Sequence, residues 1–236
     1  MTTVRHISIS RRLAFIAVIC GCCPTWGNAA TQYISTPNVN LRVPVTSYHE
    51  ARFLSTVKQE RDFSCGSAAV ATLLTYHYEH PVSEHDVFDY MYRHGDKEQI
   101  KRYGFSLLDM KQYLESRGFP ADGFRLPLDE LAKIGVPAIT LINDDGYNHF
   151  VVIKGVDKHY VLLGDPAKGT RAMARSRFAK IWNGLAFVIR NKTDVASAHF
   201  NRAEEWRKTA RAPLDTVIPH RGIAGLFLSL PGPYEF

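Results

Sequence analysis

The stretch Gln59-Glu-Arg-Asp-Phe-Ser-Cys65-Gly-Ser-Ala-Ala places a thiol between a polar segment and an apolar run of helix-forming residues. The N-terminus of a helix sets backbone N–H groups and the positive end of the helix dipole beside a sulfur, which favours the reactive thiolate. We therefore interpret Cys65 as a nucleophile. A buried, inert cysteine is the alternative, but Phe63-Ser-Cys-Gly66 has the composition of a turn. Gly66 and Ser67 should also leave room for a substrate backbone to approach.

Thiol catalysis needs a base, and a third group must orient that base. His149 is the best placed histidine, since it begins the apolar run Phe150-Val-Val-Ile-Lys-Gly-Val156, which has the composition of a central strand. A structural histidine satisfied by hydrogen bonds is the alternative interpretation. His159 competes weakly, because Lys158-His159 is typical of a turn that faces solvent.

Two further polar residues complete a candidate site. Asp165 ends the next predicted strand, and adjacent antiparallel strands bring the end of one close to the start of its neighbour, so Asp165 is predicted to accept a hydrogen bond from His149. A turn-initiating Asp before Pro166 is the ordinary alternative. Gln59 supplies an amide donor that is suited to a tetrahedral oxyanion, together with the backbone N–H of Cys65. Alone, a glutamine in a surface loop carries no such meaning.

Two other signals do not support a cofactor. The segment Gly164-Asp-Pro-Ala-Lys-Gly169 has the glycine spacing of a phosphate loop, but no Lys-Ser/Thr pair follows the second glycine. His77, His80 and His85 lie close in sequence, yet Pro81 interrupts the helix between them and no cysteine or acidic cluster completes a zinc ligand set. We expect these histidines to face solvent. The sequence predicts no nucleotide, no metal and no other cofactor.

Residues 1–30 have the features of a secretory signal peptide. Three arginines precede the apolar run Leu-Ala-Phe-Ile-Ala-Val-Ile-Cys-Gly-Cys-Cys, and small residues follow, so we expect cleavage near Ala29 or Ala30. The run is shorter than the about 20 residues that span a bilayer. A variant lipobox, Ile19-Cys-Gly-Cys22, is the alternative and would leave a lipid anchor on Cys22.

Cleavage of this segment would change both the charge and the cysteine content. The segment carries three arginines and no acid, so its loss lowers the net charge of +6 by three and leaves a balance too mild to indicate nucleic acid. It also holds three of the four cysteines, which leaves Cys65 as the single thiol. The expected compartment is the oxidising periplasm, where an unpaired thiol needs a reason.

The hydrophobic pattern predicts helices first and strands second. The predicted helices run from Cys65 to Tyr78, from Ser83 to His94, from Ser106 to Gly118, from Leu128 to Ile134, from Arg175 to Trp182 and around 203–208. The predicted strands are 137–143, 147–156, 159–165 and 185–190, the first two joined as a hairpin. This order indicates an α+β fold, in which an N-terminal helical half packs on a C-terminal antiparallel sheet. An extended lead-in or edge strand is expected over 31–56, and a C-terminal appendage over 191–236.

The ordered motifs resemble one peptidase family. Gln59, five residues and then Cys65-Gly66, followed by Asn148-His-Phe-Val-Val-Ile153 and by Gly164-Asp-Pro-Ala-Lys-Gly169, resemble the C39 cysteine peptidases, which process bacteriocin leaders. The resemblance covers the predicted domain, 57–190, and implies a papain-like fold. It further implies that Cys65 is the nucleophile, His149 the base, Asp165 the orienting acid and Gln59 the oxyanion donor.

The resemblance also sets expectations about substrate. C39 peptidases often cleave after a Gly-Gly pair in a leader peptide. The export signal departs from the transporter-linked members, and the stretches around Cys65 and 104–119 look more like the stand-alone exported proteins, which include the peptidase of functional-amyloid (Fap) secretion systems. We expect cleavage of a secreted protein or peptide, with secretion-system components as further partners. The alternatives are a substrate-binding or secretion-accessory module with little turnover, and acyl or amide transfer on a similar fold.

Overall fold

The computed structural model of the chain describes residues 30–36, 39–45 and 47–209, and the chain divides into two compact units between Val45 and Thr46. In the first unit, β1 (Ala30–Thr36) and β2 (Val39–Val45) pair antiparallel, with Ala30 opposite Val45. The extended lead-in expected from the sequence therefore contains a strand pair. The predicted signal peptide and the residues after 209 lie outside the described residues.

The second unit holds nine helices and six strands among the residues described. The helices are α1 (Tyr48–Ala51), α2 (Cys65–His77), α3 (Glu84–His94), α4 (Lys97–Tyr103), α5 (Leu107–Ser116), α6 (Leu128–Ile134), α7 (Arg175–Ile181), α8 (Thr193–Ala198) and α9 (Ala203–Thr209). The strands are β3 (Ala121–Arg125), β4 (Ala138–Asp144), β5 (Tyr147–Val156), β6 (Tyr160–Asp165), β7 (Gly169–Ala174) and β8 (Leu185–Ile189).

One antiparallel sheet organises this unit, with the strand order β3-β8-β4-β5-β6-β7. The predicted hairpin between β4 and β5 is confirmed, and its two-residue turn, Asp145-Gly146, has positive φ at both residues, as a tight hairpin turn requires. β5 lies between β4 and β6, so its apolar run is buried on both faces. This central position fixes where His149 lies.

Helices cover both faces of the sheet. The first core cluster joins α2, α3 and α5 to the sheet through residues such as Leu73, Met110 and Val152. The second lies on the other side and includes Leu131 of α6 and Phe178 of α7. The α+β class predicted from the sequence is confirmed, with one addition, since short helices also pack on the second face.

The helix starts follow from local capping. Ser83 accepts a hydrogen bond from the backbone N–H of Asp86 at the start of α3. Ser106 and Asp109 form a reciprocal capping box at the start of α5. Both starts match the sequence-based predictions, because a hydroxyl or carboxylate at these positions satisfies the backbone donors that a helix leaves free.

Residues after the last strand pack onto the same unit. Lys154 of β5 is fully buried, and its Nζ lies 2.7 Å from Glu205 Oε1 of α9. The side chain of Asn201 pairs with both backbone groups of Val156, at 2.7 and 3.1 Å. The first part of the predicted appendage is therefore part of the packed structure. Among the helices described, none combines the length and apolar character needed to cross a bilayer.

Candidate active site

Cys65 is the first residue of α2, and its side chain is buried. The preceding Ser64 does not cap the helix with its side chain, since its Oγ bonds instead to the backbone of Arg61. Within the described part of the chain, the first N–H groups of α2 thus have no side-chain acceptor. Such free donors at a helix start suit an anion, either a thiolate or a developing oxyanion.

Gln59 lies in the loop that leads to this helix. Its Nε2 donates to the carbonyl of Arg61 at 3.0 Å and lies 3.5 Å from that of Asp62. Its backbone N–H donates to the carbonyl of Pro166 at 3.0 Å, which ties the loop to the residue after Asp165. The structure therefore places Gln59 between the turn that follows Asp165 and the start of the Cys65 helix.

His149 lies near the start of β5 and is 5% exposed. Its Nε2 is 2.8 Å from Oδ1 of Asp165, which ends the neighbouring strand β6. The carboxylate has no proton to give, so Nε2–H donates and Nδ1 is left free to accept. Nδ1 is buried and has no hydrogen-bond partner among the residues described. The structure thus brings together the two residues that the sequence predicted to meet.

Asp165 is fully buried and strongly bound. Its Oδ1 also accepts from the backbone N–H groups of Ala167 at 3.0 Å and Lys168 at 3.1 Å, and Oδ2 accepts from Arg171 Nε at 2.9 Å. Burial raises the pKa of Asp165, but the bond from His149, the charges of His149 and Arg171 and the backbone bonds outweigh it and lower the pKa to about 2. The carboxylate of Asp165 is therefore ionised at neutral pH and in mild acid.

The charge of Asp165 and the nearby thiol act on His149. Burial lowers the pKa of the ring, but the hydrogen bond to Asp165 and the charges of Asp165 and Cys65 raise it to about 9. The arrangement suits a thiolate beside a protonated imidazole.

Two residues of the site were not found from the sequence. Tyr147 donates its hydroxyl to the carbonyl of Asp62 at 2.8 Å, and its ring lies 5.9 Å from that of His149. Burial and the charges of Cys65 and Asp62 raise the pKa of Tyr147. Arg171 binds Asp165 from the strand after it. Both contacts depend on strand register, and the sequence carries no spacing motif for either.

Two expectations about neighbouring residues were wrong. Gly66 does not make room for a substrate: a Cβ there would lie 2.7 Å from Cε of Met110, so the glycine serves the packing of α2 on α5. His77 does not face solvent, because it is 1% exposed. Burial and the charge of Lys154 hold the pKa of His77 well below its usual range. Its position on the inner face of α2 explains both findings.

The described residues contain no cluster of three or more metal-ligating side chains. His80 packs against Phe119 with the two rings tilted, and His85 is exposed beside Asp89. The segment 164–169 is the end of β6, a turn and the first residue of β7.

Residues 54–194 match the Peptidase C39 family. Two similar proteins are each named "Probable functional amyloid protease FapD". The one from Pseudomonas aeruginosa is 45% identical over 145 residues, and the one from Pseudomonas fluorescens is 41% identical over 145 residues. Each alignment covers 61% of this chain and 64% of the relative, so the match spans less than two thirds of these relatives.

A similar solved structure is that of a double glycine motif protease from an AMS/PCAT transporter in complex with the leader peptide. It is 28% identical, with a TM-score of 0.48, and the match covers 56% of this chain and 88% of that chain. Because the family match extends over more than half of the sequence, the chain belongs to the Peptidase C39 family.

Proposed function

We propose that this chain is a cysteine peptidase in which Cys65 is the nucleophile, His149 the base and Asp165 the group that orients the base. The pairing of His149 with Asp165 carries the proposal. Asp165 holds Nε2 at 2.8 Å, and the buried Nδ1 has no partner among the described side chains and backbone. A free ring nitrogen close to a thiol at a helix start is the arrangement that thiol catalysis needs. Membership of the C39 family supports the same conclusion.

The proposed reaction has two stages. The Cys65 thiolate attacks the scissile carbonyl carbon, and as the C–N bond breaks, the proton on Nδ1 of His149 passes to the leaving amine. Water then attacks the thioester; His149 takes its proton, the acid leaves and the thiolate is regenerated. Asp165 keeps its charge in both stages and fixes the ring.

The oxyanion of both stages needs donors. The backbone N–H of Cys65 and the Nε2 group of Gln59 are the proposed pair. In the free protein one Nε2 hydrogen bonds to Arg61 at 3.0 Å, whereas the contact with the carbonyl of Asp62 is long, at 3.5 Å. A small movement of the amide would release the second hydrogen for the oxyanion, and the first bond would still hold the side chain.

The proposed substrate is a protein or peptide secreted with a functional amyloid, and the proposed compartment is the periplasm. The relatives named functional amyloid proteases support the substrate class. The signal-peptide features of 1–30 support export. Components of the secretion system are proposed partners, and a bond after Gly-Gly is the first cleavage site to examine.

The test is cleavage of the secreted products of neighbouring genes, with fragments identified by mass spectrometry. The unmodified protein should release defined fragments, and Cys65→Ala should release none. Unfolding in urea should show that the variant remains folded. The same fragments from Cys65→Ala would overturn the assignment of the nucleophile.

Thiol reactivity separates the peptidase from a substrate-binding module. Iodoacetamide should label Cys65 at pH 6 faster than it labels free glutathione, because a helix start and a neighbouring imidazolium both favour the reactive thiolate. Labelling at the glutathione rate would favour the binding module. An added amine that captures the acyl group in place of water would indicate acyl transfer.

A further inference from the structure

Asp165 is bound from two sides, and only one side belongs to the proposed triad. Oδ1 receives His149 Nε2 together with the backbone N–H groups of Ala167 and Lys168. Oδ2 receives Arg171, whose Nε and Nη2 each lie 2.9 Å from it. Among the residues that the structure describes, Arg171 is the side chain that holds this second oxygen.

The strand register explains how Arg171 reaches Asp165. Asp165 pairs with Gly169 across β6 and β7, and Arg171 lies two residues further along β7, on the same face as Gly169. A diagonal neighbour of this kind is within reach of a long side chain. The guanidinium of Arg171 therefore reaches Oδ2 of Asp165 from the next position of β7 on that face.

A second carboxylate limits where the guanidinium can go. Nη2 of Arg171 is also 3.8 Å from Oδ2 of Asp144, at the end of β4. Asp144 already has two nearer cations, Lys168 Nζ at 3.0 Å and Arg177 Nη2 at 3.1 Å. Lys168 already binds the oxygen that faces Arg171, whereas Arg177 binds the other oxygen, Oδ1, so the charge of Arg171 is directed mainly at Asp165.

We propose that Arg171 is a positioning residue of the peptidase: it holds Oδ2 of Asp165 so that Oδ1 stays directed at His149. This inference rests on the proposed function. A carboxylate bound through both oxygens cannot rotate, whereas one bound through Oδ1 alone can turn and exchange its oxygens. Nε of Arg171 donates the hydrogen bond, and Nη2 adds its charge at 2.9 Å from the same oxygen. The rigid, planar guanidinium suits this role better than a lysine, whose ammonium is a mobile point of charge.

The charge of Arg171 has a second effect. It helps to lower the pKa of Asp165, so Asp165 stays ionised when the pH falls. Without Arg171, the carboxylate would become protonated at a higher pH and would release His149 earlier on acidification. Loss of Arg171 should therefore reduce activity more at acid pH than at neutral pH, a pattern that a purely structural side chain would not give.

The variants Arg171→Gln, Arg171→Lys and Arg177→Gln test the inference in the whole chain. Arg177→Gln is the matched control, since Arg177 contacts Asp144 and is 60% exposed, with no contact to Asp165 recorded in the described structure. The first readout is the rate at which iodoacetamide alkylates Cys65 between pH 5 and 9, followed on the Cys65 peptide by mass spectrometry. The second is hydrolysis of a fluorogenic peptide with a Gly-Gly cleavage site. Urea unfolding fixes the conditions in which each variant is folded.

Arg171→Gln should lower kcat by about tenfold to a hundredfold, as a small misplacement of a catalytic group does, with KM little changed. Its alkylation rate should fall most below pH 6. Arg171→Lys should recover part of the loss, and Arg177→Gln should match the unmodified protein. If Arg171→Gln is folded and keeps the unmodified kcat and pH profile, or if Arg177→Gln loses as much, the inference is wrong. If Cys65→Ala also retains activity, the proposed function itself fails.

Discussion

Replacing Asp165 with asparagine tests the proposed site most directly. Three donors converge on Oδ1, from His149, Ala167 and Lys168, and the guanidinium of Arg171 binds Oδ2. Asparagine has one acceptor oxygen. If that oxygen replaces Oδ1, the NH₂ group meets the donors of Arg171; if it replaces Oδ2, the NH₂ group meets His149 and the two backbone donors.

Either orientation of the asparagine disturbs the base. In the second orientation His149 must carry its proton on Nδ1, which removes the acceptor from the thiol. The negative charge is also lost. The pKa of His149 rises from 6.5 to about 9 against the effect of burial, and the bond to Asp165 is first among the causes that raise it. At about 1.4 kcal/mol per pKa unit, the shift corresponds to about 3 kcal/mol in favour of the charged ring, shared between Asp165 and Cys65.

The expected result is a fall in kcat of about a hundredfold to ten-thousandfold, with a changed pH profile. The raised pKa keeps His149 protonated, and the ion pair with the thiolate intact, until the pH passes about 9. In Asp165→Asn the alkaline limb should therefore move down from about 9 toward 6.5, the ordinary value. Peptide hydrolysis and Cys65 alkylation, each measured from pH 4 to 10, report the two effects.

Asp145→Asn is the matched control for the chemical change. Asp145 is exposed in the β4–β5 turn and has a φ of 55°, a conformation that asparagine also adopts readily. The Asp145→Asn variant should leave kcat unchanged, together with the acid and alkaline limbs of the pH–rate profile. A folded Asp165→Asn protein with the unmodified kcat and an alkaline limb still near 9 would refute the reasoning about Asp165.

Two further predictions concern contacts that the sequence did not reveal. Tyr147→Phe keeps the ring beside His149 but removes the 2.8 Å hydrogen bond to the carbonyl of Asp62. We expect kcat/KM to fall by about fivefold, the equivalent of about 1 kcal/mol, with the thermal midpoint unchanged. An unchanged kcat/KM would show that this bond does not organise the loop before Cys65. Lys154→Met leaves Glu205 buried without its 2.7 Å partner and should lower the free energy of unfolding in urea by about 3–5 kcal/mol. Lys154→Met combined with Glu205→Leu should recover most of the loss, because no buried charge is then left unpaired. An equally large loss in the double variant would contradict the assignment of the loss to an unpaired charge.

The elements predicted from the sequence were those with a strong local signal. The helix that begins at Cys65 and the hairpin that contains His149 have continuous apolar runs and clear turn residues, so their type was predictable. Strands β3 (Ala121–Arg125) and β7 (Gly169–Ala174) were missed, because they contain glycine, alanine, arginine and few β-branched residues. Their extended conformation comes from pairing with β8 and β6, which is a tertiary effect.

His77 shows the limit of local reasoning. A histidine near a helix end and close to Pro81 has a sequence context typical of an exposed residue. Helix α2 is instead buried on nearly every side, because helices lie on one flank and the sheet on the other. A histidine there is enclosed wherever it lies on the helix turn. The lack of any charged residue between Cys65 and Tyr76 is the sequence signal of such a helix, because an amphipathic helix would show a polar face.

The sequence by itself determined the chemical types of the site and their order: a thiol at a helix start, a histidine at the start of a central strand, and an aspartate at the end of the next strand. Each follows from local patterns and from the antiparallel rule that places successive strand ends together. Only the tertiary structure decided which oxygen of Asp165 meets His149, which ring nitrogen is left without a partner among the described residues, and that Arg171 and Tyr147 lie at the candidate site. Those contacts depend on strand register and side-chain reach, which are set when the sheet and helices pack and which no single segment encodes.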